Sequence, residues 1–125
     1  MSAEPESICI VDDDASVRNS IEQLLDSDEL KALSFEHGKD FLTYARSHAV
    51  PVAVLDVWMP KTSGLEVQAQ LQVVSPTTKV IVMTGRQIPV IRTAALEGGA
   101  FGFLTKPFDD ETFLALVRQA LGSTV

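Results

Sequence analysis

The stretch VAVLDVWMP, Val52–Pro60, leads through an unbroken apolar run into a carboxylate, Asp56, and then returns to apolar residues. A run with no polar alternation fits a strand covered on both faces, as in a parallel sheet. Such a strand does not end on an unpaired charge without cause. Desolvating an ionised carboxylate costs several kcal/mol unless something pairs with it. The rest of the chain has to supply what Asp56 faces.

Further apolar runs lie on either side and alternate with helix-like segments. ICIV (Ile8–Val11) is continuous, KALSF (Lys31–Phe35) is weaker and suits an edge, KVIVM (Lys79–Met83) stops at Thr84, and FGFL (Phe101–Leu104) is the last. The first helical segment, Ala15–Glu29, puts Val17, Ile21, Leu24 and Leu25 on one face behind Asp14, which stands at the N-cap position. Gly38–His48 reads as a short helix with Phe41, Leu42 and Ala45 inward. Leu65 opens the next, with Val67, Leu71 and Val74 on one face and Pro76 marking its end. Ile88–Ala100 has Pro89 early and a Gly pair late, the usual helical asymmetry. The last segment, Asp110–Leu121, starts with acids and ends with Arg118, as the macrodipole prefers.

Strict β-α alternation with buried strands implies an α/β fold: an open, doubly wound parallel sheet with helices on both faces. Function in such sheets collects outside the carboxyl ends of the strands.

The length, 125 residues, fits one domain, residues 1–125, with a real core. Seventeen acids against ten bases give a net charge of -7, which argues against this domain gripping a nucleic-acid backbone. Cys9, the single cysteine, sits in ICIV and reads as a small buried hydrophobe. MSAEPES has neither the basic start nor the apolar core of a signal peptide, and no apolar stretch approaches the ~20 residues that span a bilayer. A soluble, cytoplasmic protein with no membrane partner is the expectation.

The strand ends hold ionisable groups of complementary kinds. Asp12, Asp13 and Asp14 follow the first strand, Asp56 ends the third, Thr84 ends the fourth, and Thr105, Lys106 and Pro107 follow the fifth. If these strands are neighbours, the groups converge. Two carboxylates about 4 Å apart repel by about 4 kcal/mol at an effective dielectric of about 20. Lys106 offers too little positive charge for Asp12, Asp13 and Asp56 together, and a divalent cation makes up the deficit. Hard oxygen ligands with no His or Cys at metal-binding spacing point to Mg2+, with Mn2+ as a substitute. A carboxylate-held metal, a lysine and a hydroxyl are equipment for handling a phosphoryl group. The chain has no GxxxxGK[ST] loop to cradle a nucleotide and no Ser/His or Cys/His pair for acyl chemistry. Asp56 is then the candidate nucleophile.

In order and spacing, IVDDD, VLDVWMP, VIVMTG and GFLTKPF resemble the receiver domain of two-component response regulators, especially receivers that precede a helix-turn-helix output domain. The resemblance covers essentially the whole chain. It implies a flavodoxin-like (βα)5 sandwich with strand order 2-1-3-4-5. It also implies a regulatory switch rather than an enzyme, one that promotes only its own phosphorylation and dephosphorylation. Asp12 and Asp13 match the acidic pair that helps bind Mg2+. Asp56 matches the phosphoacceptor, which takes its phosphoryl group from a sensor histidine kinase. Thr84 matches the hydroxyl residue that moves toward the phosphoryl oxygen, Lys106 the lysine that contacts it, and Phe103 the aromatic that changes rotamer. Trp58 matches the position whose backbone carbonyl joins the metal, and Lys106–Pro107 a bond that is cis in the family. The output surface is the face made by the fourth helix, fifth strand and last helix, carrying Arg92 and Phe101–Phe103, where phosphorylation-dependent homodimers also form. That output is expected to be transcriptional.

Trp58 is unusually bulky for its position and is expected to cover the phosphoryl group and slow its loss, with Arg86 bordering the same pocket. Asp14 is expected only to cap a helix. His37 and His48 are expected to lie away from every strand carboxyl end and to have no chemistry. Two other readings compete. In one, DDD parses as D-x-D, Asp12 and Asp14, as in haloacid-dehalogenase-like phosphatases, although these need more chain and a further acidic pair. In the other, the domain is receiver-like but no longer takes phosphate, which the presence of all the key positions disfavours.

Overall fold

The apolar run behind Asp56 is a strand buried along its whole length. It belongs to β3 (Val52–Asp56) in a computed structural model that describes residues 7–122. The order along the chain is β1 (Ile8–Val11), α1 (Ala15–Ser27), β2 (Ala32–Phe35), α2 (Gly38–Ala45), β3, α3 (Gly64–Val74), β4 (Lys79–Thr84), α4 (Pro89–Glu97), β5 (Gly102–Thr105) and α5 (Asp110–Gly122). All strand pairings are parallel, in the expected order β2-β1-β3-β4-β5. The signal-peptide question falls on MSAEPES, nearly all of which lies outside the described residues.

Side chains alternate across the sheet, as a period of two requires. One face buries Cys9, Val11, Ala53, Leu55, Val80 and Val82 beneath α2, α3 and α4. The other buries Ile8, Ile10, Val52, Val54, Ile81 and Met83 beneath α1 and α5. The central strands therefore carry no polar face, whereas β2, at the edge, is only partly covered. Cys9 is fully buried, and burial pushes its thiol up to about 12, far from a reactive thiolate.

Helix starts are set by side chains near the site. The Asp14 carboxylate accepts from the backbone N–H of Ser16 and Val17 and caps α1. Ser63 and Glu66 form a reciprocal capping box at α3, which begins one residue earlier than Leu65 suggests. Two expectations need correction. The helix after β2 ends at Ala45 rather than His48: the Ser47 backbone N–H turns back to the Tyr44 carbonyl at 3.1 Å, and the His48 ring stacks on Tyr44 at 4.0 Å. Arg118 is not in the last turn of α5, which runs on to Gly122. It grips Asp28 at the end of α1 through two hydrogen bonds of 2.9 and 2.7 Å.

Candidate functional site

Strand order brings the carboxyl ends of β1, β3, β4 and β5 side by side, and chain direction across the sheet reverses between β1 and β3. Asp56 is in register with Met83, and Thr84 with Thr105, so Asp56, Thr84 and Lys106 issue from three consecutive strands. The Lys106 backbone N–H donates to the Thr84 carbonyl at 2.7 Å, which carries the ladder one residue past β5. The Lys106–Pro107 bond that follows is cis.

The ionisable groups converge. Asp12 and Asp56 are 1% and 4% exposed. Lys106 Nζ lies 2.8 Å from Asp12 Oδ2 and 3.1 Å from Asp56 Oδ1. Asp13 is less buried, and one oxygen from each of Asp12, Asp13 and Asp56 lies within 4.8 Å of the others. Burial pushes Asp56 up to about 6, and the charge of Asp12 adds to the rise while Lys106 opposes it. Burial works against the charge on Lys106, but its hydrogen bond to Asp12 and the charges of both aspartates prevail and raise it above the usual lysine value. Thus one ammonium faces three carboxylates, two of them buried. The donor set fits a small hard cation: oxygen ligands only, excess negative charge, and spacing one ion can share. Asp12, Asp13 and Asp56 would hold Mg2+.

Other side chains fix this arrangement. The Asp14 backbone N–H donates to Asp12 Oδ1 at 2.9 Å, and Arg18 Nη1 donates to the Asp12 carbonyl at 2.7 Å. Arg18 gave no signal in the sequence beyond lying one turn after the cap. Gly64 is required by close approach: a Cβ there would stand 2.3 Å from the Asp56 carbonyl oxygen. Its N–H donates to the Val57 carbonyl at 3.0 Å, which folds the loop after Asp56 back beneath the strand end. Asp14 itself faces Ser16 and Val17 and contributes no ligand to the three-carboxylate cluster, so the acid that the D-x-D parsing requires stands outside it.

Trp58 is exposed over the pocket mouth, and its indole N–H donates to Thr84 Oγ1 at 2.7 Å. The Arg86 guanidinium stacks over the Trp58 ring, 4.6 Å from its centroid. Phe103 is half-buried on the α2–α3–α4 side, with the Arg92 guanidinium 6.0 Å from its ring centroid. His37 departs from expectation. It follows the carboxyl end of β2 and lines, with Asp13, Lys61 and Met59, a cavity of about 330 Å³.

The family model described as the response regulator receiver domain matches residues 8–118. The chain belongs to this family. It is 36% identical over 120 residues to the response regulator MprA of Mycolicibacterium vanbaalenii, covering 96% of this chain and 52% of that protein. It is 35% identical over 121 residues to the response regulator protein TodT of Pseudomonas putida, covering 97% of this chain and 53% of that one. The receiver thus spans about half the length of these relatives. Among solved structures, the beryllofluoride-activated NtrC4 receiver domain dimer superposes with a TM-score of 0.90 at 29% identity, covering 95% of this chain and 98% of that one. This is a receiver domain of two-component response regulators, homologous to transcriptional regulators. Among the described residues no helix is long and apolar enough to cross a membrane.

Proposed function

We propose that residues 1–125 form a receiver domain that acts as a phosphorylation-dependent switch, with Asp56 as phosphoacceptor for a sensor histidine kinase. One observation carries this reading. Asp56 is a buried carboxylate at a strand end, with Lys106 3.1 Å away and Asp12 and Asp13 close enough to share a cation with it.

An Asp56 carboxylate oxygen attacks the phosphorus of a phosphohistidine. The new P–O bond forms as the P–N bond breaks, and the imidazole leaves with the electron pair. Bound Mg2+ supplies charge neutralisation for the phosphoryl oxygens and the carboxylates. Lys106 adds a point charge to one phosphoryl oxygen. Thr84 donates its hydroxyl to another, and Phe103 turns inward with it. These two residues carry the change to the α4-β5-α5 face, where Arg92 and Phe101–Phe103 would meet an output domain, a partner or a second copy. That surface is exposed in part through Val90 and Leu96 of α4, and the NtrC4 relative in its beryllofluoride-activated form is a dimer. Loss of the phosphoryl group is attack by water on the same phosphorus, so the domain controls only its own phosphorylation state and is not an enzyme in the ordinary sense. The output is transcriptional control in the cytoplasm, with no direct nucleic-acid contact by this acidic domain.

Trp58 fluorescence tests the reading, because the ring lies two residues from Asp56. Mg2+ followed by beryllofluoride, a mimic of the aspartyl phosphate, should each change the emission, and Asp56→Asn should lose the second response. A Mg2+ response without a beryllofluoride response would assign the protein to receiver-like domains that take no phosphate.

A further inference from the structure

The Thr84 hydroxyl has no hydrogen-bonding capacity to spare. Its oxygen accepts from Trp58 Nε1 at 2.7 Å and from the Arg86 backbone N–H at 3.1 Å, and it donates to the Arg86 carbonyl at 3.2 Å. A hydroxyl has one proton to give and two lone pairs to offer, so all three are committed. A phosphoryl oxygen on Asp56 needs that same proton.

The partner that fills the second lone pair is unusual. An indole N–H only donates, so it cannot reverse roles when Thr84 turns. Trp58 is 40% exposed and belongs to neither apolar cluster of the core. Its position is set by the bond to Thr84 and by the Arg86 guanidinium, 4.6 Å from the ring centroid and within cation–π range. Arg86 therefore acts twice. Its backbone closes on the Thr84 hydroxyl from both sides, and its side chain clamps the indole that holds the same oxygen. Trp58 and Arg86 each stand two residues beyond a strand end, so this chain of contacts ties the β3 and β4 loops across the mouth of the site.

We propose that Trp58 and Arg86 are positioning residues that hold the Thr84 hydroxyl in a resting arrangement, which must release before Thr84 can serve a phosphoryl group on Asp56. The inference deepens the phosphoacceptor reading and rests on it. It differs from simple shielding by the indole ring, because the N–H bond and not the ring's bulk sets the effect. A Thr84 hydroxyl that swings toward Asp56 to give its proton to a phosphoryl oxygen carries its oxygen away from the indole N–H, so this bond favours the resting form and deleting the N–H shifts the equilibrium toward the active form.

The test titrates beryllofluoride with Mg2+ into the wild type, Trp58→Phe and Arg86→Ala, reading the fluorine resonance of the bound anion. Phenylalanine keeps an aromatic ring and the backbone carbonyl but has no N–H. Trp58→Phe should bind about fivefold more tightly, the equivalent of ~1 kcal/mol for one net hydrogen bond. Arg86→Ala should tighten binding in the same direction, and the gain from Trp58→Phe should vanish in a Thr84→Val background. In the wild type the Trp58 indole N–H resonance should move upfield on saturation, a signature that a merely structural role would not produce. Uptake with equal affinities, or an indole resonance that stays put on saturation, overturns the proposal while leaving the phosphoacceptor reading intact. No uptake by any variant overturns the phosphoacceptor reading and this proposal with it.

Discussion

At Asp56 the fold holds a nearly inaccessible carboxylate beside Asp12, with the Lys106 ammonium 3.1 Å away. A pKa moved from 3.8 to about 6 means that the ionised form is disfavoured in the fold by about 3 kcal/mol. Because the folded value lies above the unfolded one, the native state binds more protons between them, and stability falls as pH rises through that window. The full cost is present above it. Asp56→Asn should therefore stabilise the protein by about 1–3 kcal/mol at neutral pH in divalent-free buffer, measured by urea unfolding. A loss of stability would contradict this electrostatic account. Gly64→Ala should cost about 2 kcal/mol or more, since its Cβ meets backbone and not a movable side chain. Circular dichroism melts would show it, and an unchanged midpoint would mean that the loop yields more easily than the geometry allows. The charged members of the site were legible in the sequence because Asp12, Asp13, Asp56 and Lys106 each stand at or just past the end of an apolar run. The bond from Trp58 to Thr84 was not, since it depends on one rotamer reaching a residue 26 positions away.

At the scale of elements, two cross-links between helices escaped periodicity. Gln68 lies on α3 beside Val67, and its apolar neighbours predicted only a helical core face. It is 2% exposed, and its Nε2 donates to the Ala95 carbonyl at 2.9 Å, while Gln72 reaches the Gly98 carbonyl at 3.2 Å. The two glutamines, one turn apart, fasten the C-terminal end of α4 to α3. Gln68→Ala should cost about 1–3 kcal/mol and raise hydrogen exchange in α4 more than in α1. Uniform exchange across both helices would argue that Gln68 merely fills space. The second cross-link is the Asp28–Arg118 clamp between α1 and α5. The hydrogen bonds from Arg118 hold the Asp28 carboxyl below its usual range. A depressed folded value contributes stability above the unfolded pKa, and that contribution disappears as pH falls through the folded one. The midpoints of the wild type and Asp28→Asn should accordingly differ most at neutral pH and converge in acid. A gap that widened in acid would refute the clamp. Arg118 had read as a macrodipole residue because sequence shows charge near a helix end but not the neighbour it faces.

For the molecule as a whole, the fold was legible because each strand is either apolar on both faces or, like β2, visibly weaker and at an edge. The order of strands was not readable from periodicity and came from the motifs at their ends. That order gives the site its character. Lys106 meets Asp12 across 94 residues of sequence, so the charge cluster exists only when the sheet is complete. Ligand binding to the cluster must therefore stabilise the whole domain. Mg2+ at about 100 times its dissociation constant should add about 2.7 kcal/mol to unfolding, and chelation should remove it. A melting temperature indifferent to Mg2+ would count against the metal assignment. Whether Asp56 becomes phosphorylated is read from intact-protein mass spectrometry after incubation with acetyl phosphate. The protein should gain one phosphoryl group per chain, in a reaction that requires Mg2+, maps to Asp56 and is absent from Asp56→Asn. A gain that persists in Asp56→Asn, or no gain with any small acyl phosphate or phosphoramidate donor in a folded, Mg2+-binding protein, would contradict the phosphoacceptor reading.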